Sequence, residues 1–217
     1  MGLMAESVES NLLSVSWNGF RIVCLAGETD WLSIFRNGIL SDEERTGKVV
    51  QSVEIKKELR ETAIWELPDG MRFVAKRIVR KTSFSPIRAL SESFRRGVNI
   101  IRLVESARSR GFLFPAQVYL VAEKYRWGIL KERWLFTEFI SGKEVKTFLG
   151  IEQEVVVKIR ECHRFGLSWG GDPHPGNFLV DKAGNLRGID FSFKKASRRA
   201  KKRDWRRLWQ DFRVRVE

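Results

Sequence analysis

The stretch GDPHPGN at residues 171–177, with IDF at 189–191, decides how the rest of this chain is read. Asp, Pro, Gly and Asn are what any turn uses, so a lone Asp-Pro would mean an ordinary loop. This string is longer than a turn needs. Pro173 and Pro175 stiffen it, and Gly176 lets the backbone turn tightly. Two strand-like runs follow, 177–181 and 185–190, joined by Lys182-Ala183-Gly184, so the loop leads straight into a β-hairpin.

A phosphoryl-transfer site has to orient a hydroxyl, hold Mg²⁺ on nucleotide phosphates and anchor those phosphates with a cation. Asp172 and Asn177 are five positions apart, the offset of the catalytic-loop Asp and the metal-binding Asn of protein kinases. Asp190 follows thirteen positions later, at the end of an apolar strand, where kinases carry their second metal ligand. Asn177 and Asp190 both offer oxygen, which suits a hard cation, and Asp172 is positioned in sequence to orient the acceptor hydroxyl. His174 lies between the prolines. Mg²⁺ sites seldom use imidazole, and no Cys or second His accompanies it, so a hydrogen bond within the loop is its expected role.

Outward from this block, strands are expected at 17–25, 50–56 and 61–67, then a turn at Pro68-Asp69-Gly70 and a further strand at 71–79 that completes a hairpin. From about 87 to 110, Leu90, Phe94, Val98, Ile101, Val104 and Ala107 recur at helical spacing, with Gly111 as terminator. Strands are expected at 116–123 and 133–140, with a charged connector at 124–132 and an interruption at Ser141-Gly142-Lys143. A second helix, 152–165, ends before Gly166, and a basic helix closes the chain. No internal repeat or low-complexity linker occurs.

The 217 residues are enough for one core, or for two unequal lobes of a single enzyme domain. Lys and Arg number 40 against 27 Asp and Glu, a formal net charge of +13. Such an excess implies a polyanionic partner, without choosing among nucleic acid, anionic lipid, phosphorylated glycolipid and nucleotide. Cys24 and Cys162 lie far apart in apolar surroundings, the expectation for buried, reduced thiols in a cytosolic protein. The first sixteen residues lack a signal-peptide pattern, and no apolar run reaches the roughly 18 residues a membrane span needs.

At residues 168–193, SWGGDPHPGNFLVDKAGNLRGIDFSF, the chain resembles the active-site block of the bacterial lipopolysaccharide core kinases, in particular the heptose-II kinases, within the protein-kinase-like superfamily. WNGFRIVCLAGETDWLSI from Trp17, YLVAEK at 119–124, LFTEFISG at 135–142 and KKASRRAKKRDWRRL from Lys194 extend the likeness over nearly the whole chain. It implies a single α+β, protein-kinase-like domain over 1–217, truncated. A small antiparallel-sheet N-lobe would cover about 15–140, a hinge would fall near 135–142, and a mostly helical C-lobe would cover about 143–217. It further implies ATP and Mg²⁺ as cofactors and a heptose hydroxyl of the lipopolysaccharide inner core as acceptor.

By the same likeness Lys76, in Phe73-Val74-Ala75-Lys76, resembles the strand lysine that holds the nucleotide phosphates, Glu138 stands near the adenine, Asp172 is the catalytic residue, and Asn177 and Asp190 are the metal ligands. The pattern is departed from in four places. The expected place of the helix glutamate that partners the lysine falls near Val98 and Asn99, so either Glu92 or Glu105 serves or the salt bridge is lost; no glycine-rich phosphate loop precedes Lys76; Trp169-Gly170 stands where the family carries His or Ser; and Ser192 follows Asp190-Phe191.

Between 194 and 207 there are nine Lys or Arg and one acid, Asp204, with Trp205, Leu208, Trp209 and Phe212 interleaved. This suits a helix that packs its aromatics and turns its charges to a phosphorylated lipid or an anionic membrane surface. The expected location is cytoplasmic, peripheral at the inner face of the inner membrane. Two other classes remain: a kinase for another sugar or small hydroxyl substrate, such as an aminoglycoside, which the positive charge disfavours, and a non-catalytic kinase-like module binding anionic lipid or RNA. The latter is disfavoured because Lys76, Asp172 and Asp190 are all present and no RNA motif with stacking aromatics occurs.

Overall fold

A computed structural model describes residues 5–9, 11–27, 29–40, 48–55, 58–80, 96–145, 150–170, 173–191 and 194–212. Its chain divides into two compact units, residues 1–102 with 117–139, and residues 103–116 with 140–217.

In the first unit, alternating apolar residues and left-handed turn pairs build one antiparallel sheet. Its strands are β1 (Ala5–Glu9), β2 (Leu12–Trp17), β3 (Phe20–Leu25), β4 (Lys48–Ile55), β5 (Glu58–Glu66), β6 (Arg72–Arg80), β7 (Val118–Arg126) and β8 (Ile129–Glu138), in the order β1-β2-β3-β7-β8-β6-β5-β4. The run 17–25 is not one strand. Asn18 (φ 47°) and Gly19 (φ 77°) break it into the β2–β3 hairpin, because an Asn-Gly pair supplies the two positive φ values that a tight hairpin turn needs. The charged connector at 124–132 is likewise the paired ends of β7 and β8, turning at Trp127 and Gly128. The hairpin expected around Pro68-Asp69-Gly70 forms, with Glu66 opposite Arg72 and Asp69 Oδ1 accepting the Met71 N–H at 2.8 Å.

Helix α1 (Trp31–Leu40) lies over one face of this sheet. Trp31 and Phe35 meet Phe20, Ile22, Phe73, Leu120, Trp134 and Phe136 in a continuous buried cluster, with the Trp31 ring stacked on Tyr119 at 4.3 Å. Asp30 starts the helix, its carboxylate accepting the backbone N–H and hydroxyl of Ser33 at 3.0 and 2.7 Å. Cys24 belongs to the cluster; burial, with a smaller contribution from Asp30, pushes its thiol up to about 11. On the other face the start of α2 (Arg96–Arg108) comes so close to β7 that a Cβ on Gly97 would run into Val121 and the Glu123 carboxylate. Glu123 is fully buried and is held by Arg133 Nε at 2.7 Å and the Tyr125 hydroxyl at 2.9 Å. A buried carboxylate is tolerable only with such partners.

The second unit contains β9 (Gly142–Glu144), α3 (Glu152–Arg164), β10 (Leu167–Ser168), β11 (Phe178–Asp181), β12 (Leu186–Gly188), β13 (Lys194–Lys195) and α4 (Arg198–Phe212). The Ser141-Gly142-Lys143 interruption is the start of β9, which pairs with β11; Gly142 packs so tightly on the Val180 carbonyl that no side chain fits. Val155, Val156, Ile159 and Cys162 form the buried stripe of α3, as their spacing implies, and Gly166 (φ 78°) terminates it. Burial raises the Cys162 thiol well above its ordinary range. Among the described residues no helix is long and apolar enough to cross a membrane.

Candidate active site

Pro175–Asn177 forms one turn of 3₁₀-helix that leads directly into β11. His174 caps it, Nδ1 accepting the Gly176 N–H at 3.2 Å, which is the structural role its surroundings imply. Asn177 is 4% exposed, and its carbonyl accepts the N–H of Ile189 at 2.8 Å. That bond brings the start of the β11–β12 hairpin against its end, pairing Asn177 with Ile189, the residue before Asp190. Asp190 follows β12 with φ 50°, a left-handed conformation that Asp tolerates better than bulkier residues.

Both edges of this hairpin are braced. β9 pairs with β11, and Gly188 exchanges backbone bonds with the preceding segment, donating to the Phe114 carbonyl and accepting from Ala116 N–H at 2.8 Å each. Beneath it lies a packed aromatic group. Trp169, 1% exposed, has its ring centroid 5.0 Å from Phe178, 5.6 Å from Phe191 and 5.7 Å from Phe114. The ring also fills the space over Gly188, where a Cβ would collide with it. Trp169 is thus the floor under Gly188 and Phe191, on either side of Asp190.

The residue that fixes this floor did not stand out in the sequence. Asp204 of α4 is fully buried, and its Oδ2 accepts from Ser168 Oγ at 2.8 Å, from Trp169 N–H at 2.9 Å and from His163 Nε2 at 2.9 Å. One carboxylate therefore ties α3, β10 and α4 together just ahead of the loop at 171–177. The signal was available: Ala200, Asp204 and Leu208 recur at four-residue spacing as the buried stripe of α4, and Asp204 is the one acid in a run of nine bases.

Asp172 and Glu92 lie outside the described residues, as does Ser192. Lys76 stands in the middle of β6, between Thr62 of β5 and Leu135 of β8, on the opposite face from Ala75 and Phe73 of the α1 cluster. Glu138 ends β8; its carboxylate accepts the Gln117 N–H at 2.9 Å while its own N–H donates to the Gln117 carbonyl at 2.9 Å. Its side chain is therefore bound to backbone. Glu105 sits in the part of α2 assigned to the second unit. Lys76 and Glu138 thus belong to the first unit, Asn177 and Asp190 to the second.

Among the described residues no cluster of three His, Cys, Asp or Glu side chains could hold a metal. The side chains of Asn177 and Asp190 both offer oxygen, a donor type that fits Mg²⁺, which takes several of its ligands from water and phosphate. A cavity of about 690 Å³ in the second unit, lined in part by Phe112, Phe165, Asp181 and Arg187, contains none of the candidate residues.

Two solved structures share this architecture: WaaP in complex with acyl carrier protein (TM-score 0.56, 15% identity, 87% of this chain and 80% of that one) and a Chaetomium thermophilum Rio2 kinase-ADP/Mg²⁺-phosphoaspartate complex (0.50, 13%, 94% and 67%). The fold is protein-kinase-like. The sequence profile of the family described as lipopolysaccharide core biosynthesis protein (WaaY) matches residues 14–217. The chain belongs to that family. Among its relatives, the lipopolysaccharide core heptose(II) kinase WaaY of Escherichia coli is 28% identical over 200 residues, 89% of this chain and 83% of the relative.

Proposed function

We propose that this protein transfers the γ-phosphoryl group of ATP to a heptose hydroxyl of the lipopolysaccharide inner core. The observation that supports this reading is the backbone bond from Ile189 to Asn177, which closes the β11–β12 hairpin so that Asn177 and the residue before Asp190 are paired, in a member of the WaaY family. Bound Mg²⁺-ATP supplies the phosphoryl group and the charge compensation that transfer requires. Asn177 and Asp190 hold the metal through oxygen, and Lys76 neutralises the nucleotide phosphates from its mid-sheet position. Glu138, locked to Gln117, keeps the end of β8 rigid where the adenine is received. Asp172 orients the acceptor hydroxyl and takes up its proton.

The exposed face of α4 carries Arg198, Arg199, Lys202, Arg203 and Arg206 around Trp209, which is 57% exposed, while Asp204 and Leu208 face inward. That distribution supports contact with phosphorylated glycolipid at an anionic membrane surface, and a cytoplasmic, peripheral location. The enzymatic reading is tested by incubating purified protein with Mg²⁺-ATP and dephosphorylated lipopolysaccharide core. Wild type is expected to transfer phosphate. Asp172→Ala should abolish transfer while nucleotide binding persists, whereas Asp190→Ala should weaken Mg²⁺-ATP binding itself. Full turnover by the Asp172 variant would remove that residue from its assigned role.

A further inference from the structure

The β7–β8 turn breaks a local rule that the same sheet obeys elsewhere. Trp127 (φ 51°) and Gly128 (φ 73°) adopt the same left-handed pair as Asn18 (φ 47°) and Gly19 (φ 77°) at the β2–β3 turn. The β2–β3 turn uses Asn, which this geometry favours. Trp in that position costs roughly 1 kcal/mol of backbone strain, and no burial offsets it, since Trp127 is 87% exposed. A large aromatic residue kept in a strained, solvated position points to a role outside the fold.

Basic residues lie in the same hairpin end and in the strand beside it, and one of them, Arg126, touches the ring. Phe20 pairs with Lys124, so the two turns stand at the same end of the sheet. Arg21 and Arg126 are exposed there, Lys124 and Lys131 half-buried, and the Arg126 guanidinium lies 4.7 Å from the centre of the Trp127 ring. The neighbouring acids are engaged elsewhere, Glu123 by Arg133 and Glu132 by Arg77 at 2.8 Å. Glu138 is at the opposite end of the ten-residue β8, about 30 Å away at the usual strand rise, so this tip is separate from the candidate nucleotide residues of its own unit.

We propose that the tip at residues 126–128 is a membrane-contact point that seats Trp127 in the interfacial layer of an anionic phospholipid bilayer, with Lys124, Arg126 and Lys131 against the headgroups. Indole partitions to that layer, and each basic residue beside an anionic surface adds to the attraction. The contact lies in the first unit and is distinct from the basic face of α4. Its purpose, holding the enzyme where a lipid-anchored acceptor is displayed, rests on the heptose kinase reading; the contact itself does not.

The test is sedimentation of the full chain with vesicles of phosphatidylcholine alone or mixed with phosphatidylglycerol, together with tryptophan quenching by brominated phospholipid. Trp127→Asn installs the residue the turn prefers, so folding should be kept or improved while binding to the anionic vesicles falls at least about five-fold; Arg126→Gln should cost about five-fold. Trp127→Asn should also abolish part of the quenching. Unchanged binding and quenching in Trp127→Asn would overturn the proposal, as would equal wild-type binding to neutral and anionic vesicles. So would a Trp127→Asn change confined to self-association or to binding of an acidic protein. Phosphate transfer to lipid-free core oligosaccharide, measured in parallel, should be the same in wild type and Trp127→Asn; its absence in both would count against the kinase reading and leave the vesicle result standing.

Discussion

The backbone N–H of Trp169 donates to Asp204 Oδ2 at 2.9 Å, so the chain entering the 171–177 loop hangs on a carboxylate thirty-five residues further on. Two further donors, Ser168 Oγ and His163 Nε2, share that oxygen. Asp204→Ala leaves all three buried without an acceptor, and each such group costs about 1–3 kcal/mol. The variant is expected to lose about 3 kcal/mol or more in denaturant unfolding. Asp204→Asn keeps an acceptor oxygen and should lose less. An Asp204→Ala protein as stable as wild type would show that this hub is not what holds α4 to β10.

Gly188 gives a second test, independent of charge. Alanine there would drive its Cβ into the Trp169 ring, and overpacking of this kind typically costs about 1–3 kcal/mol. Combining Gly188→Ala with Trp169→Phe removes the colliding part of the indole, so the double variant should be more stable than the sum of the single losses. Strict additivity would contradict the packing described.

Acid stability depends on Asp30 and Asp181. Hydrogen bonds from Ser33 hold the Asp30 carboxyl below its ordinary 3.8, and the Asn185 N–H, chiefly, does the same for Asp181. A group depressed in the folded state contributes stability above its unfolded value and loses that contribution as pH falls through the folded one. Wild type should therefore lose more stability below about pH 4 than an Asp30→Ala, Asp181→Ala double variant, and the two should differ most near neutrality. Parallel curves across that range, followed by thermal unfolding, would contradict the assignment.

The β5–β6 and β11–β12 hairpins and helices α2 and α3 were legible because each carries a local signal: Pro-Asp-Gly, a stiffened loop before paired strands, and helical spacing ended by glycine. Boundaries failed where a turn was disguised. Asn18-Gly19 was absorbed into a strand although its turn chemistry was plain, and Trp127-Gly128 was hidden because a tryptophan does not announce a turn. β9, β10 and β13 are two or three residues long and exist only through partners distant in sequence, so no periodicity could mark them. Asp204 was hidden by its surroundings, a single acid read as part of a solvated basic face, when its four-residue spacing from Ala200 and Leu208 already put it inside.

The central claim, phosphate transfer to the lipopolysaccharide core by a site containing Asp190, is tested most directly by the mass of core oligosaccharide from cells that lack their own heptose kinase and carry this chain. Wild type should add the mass of one phosphate, and Asp190→Ala, expressed at the same level, should add none. A core of unchanged mass with wild-type protein present, or the same gain with Asp190→Ala, would contradict the account.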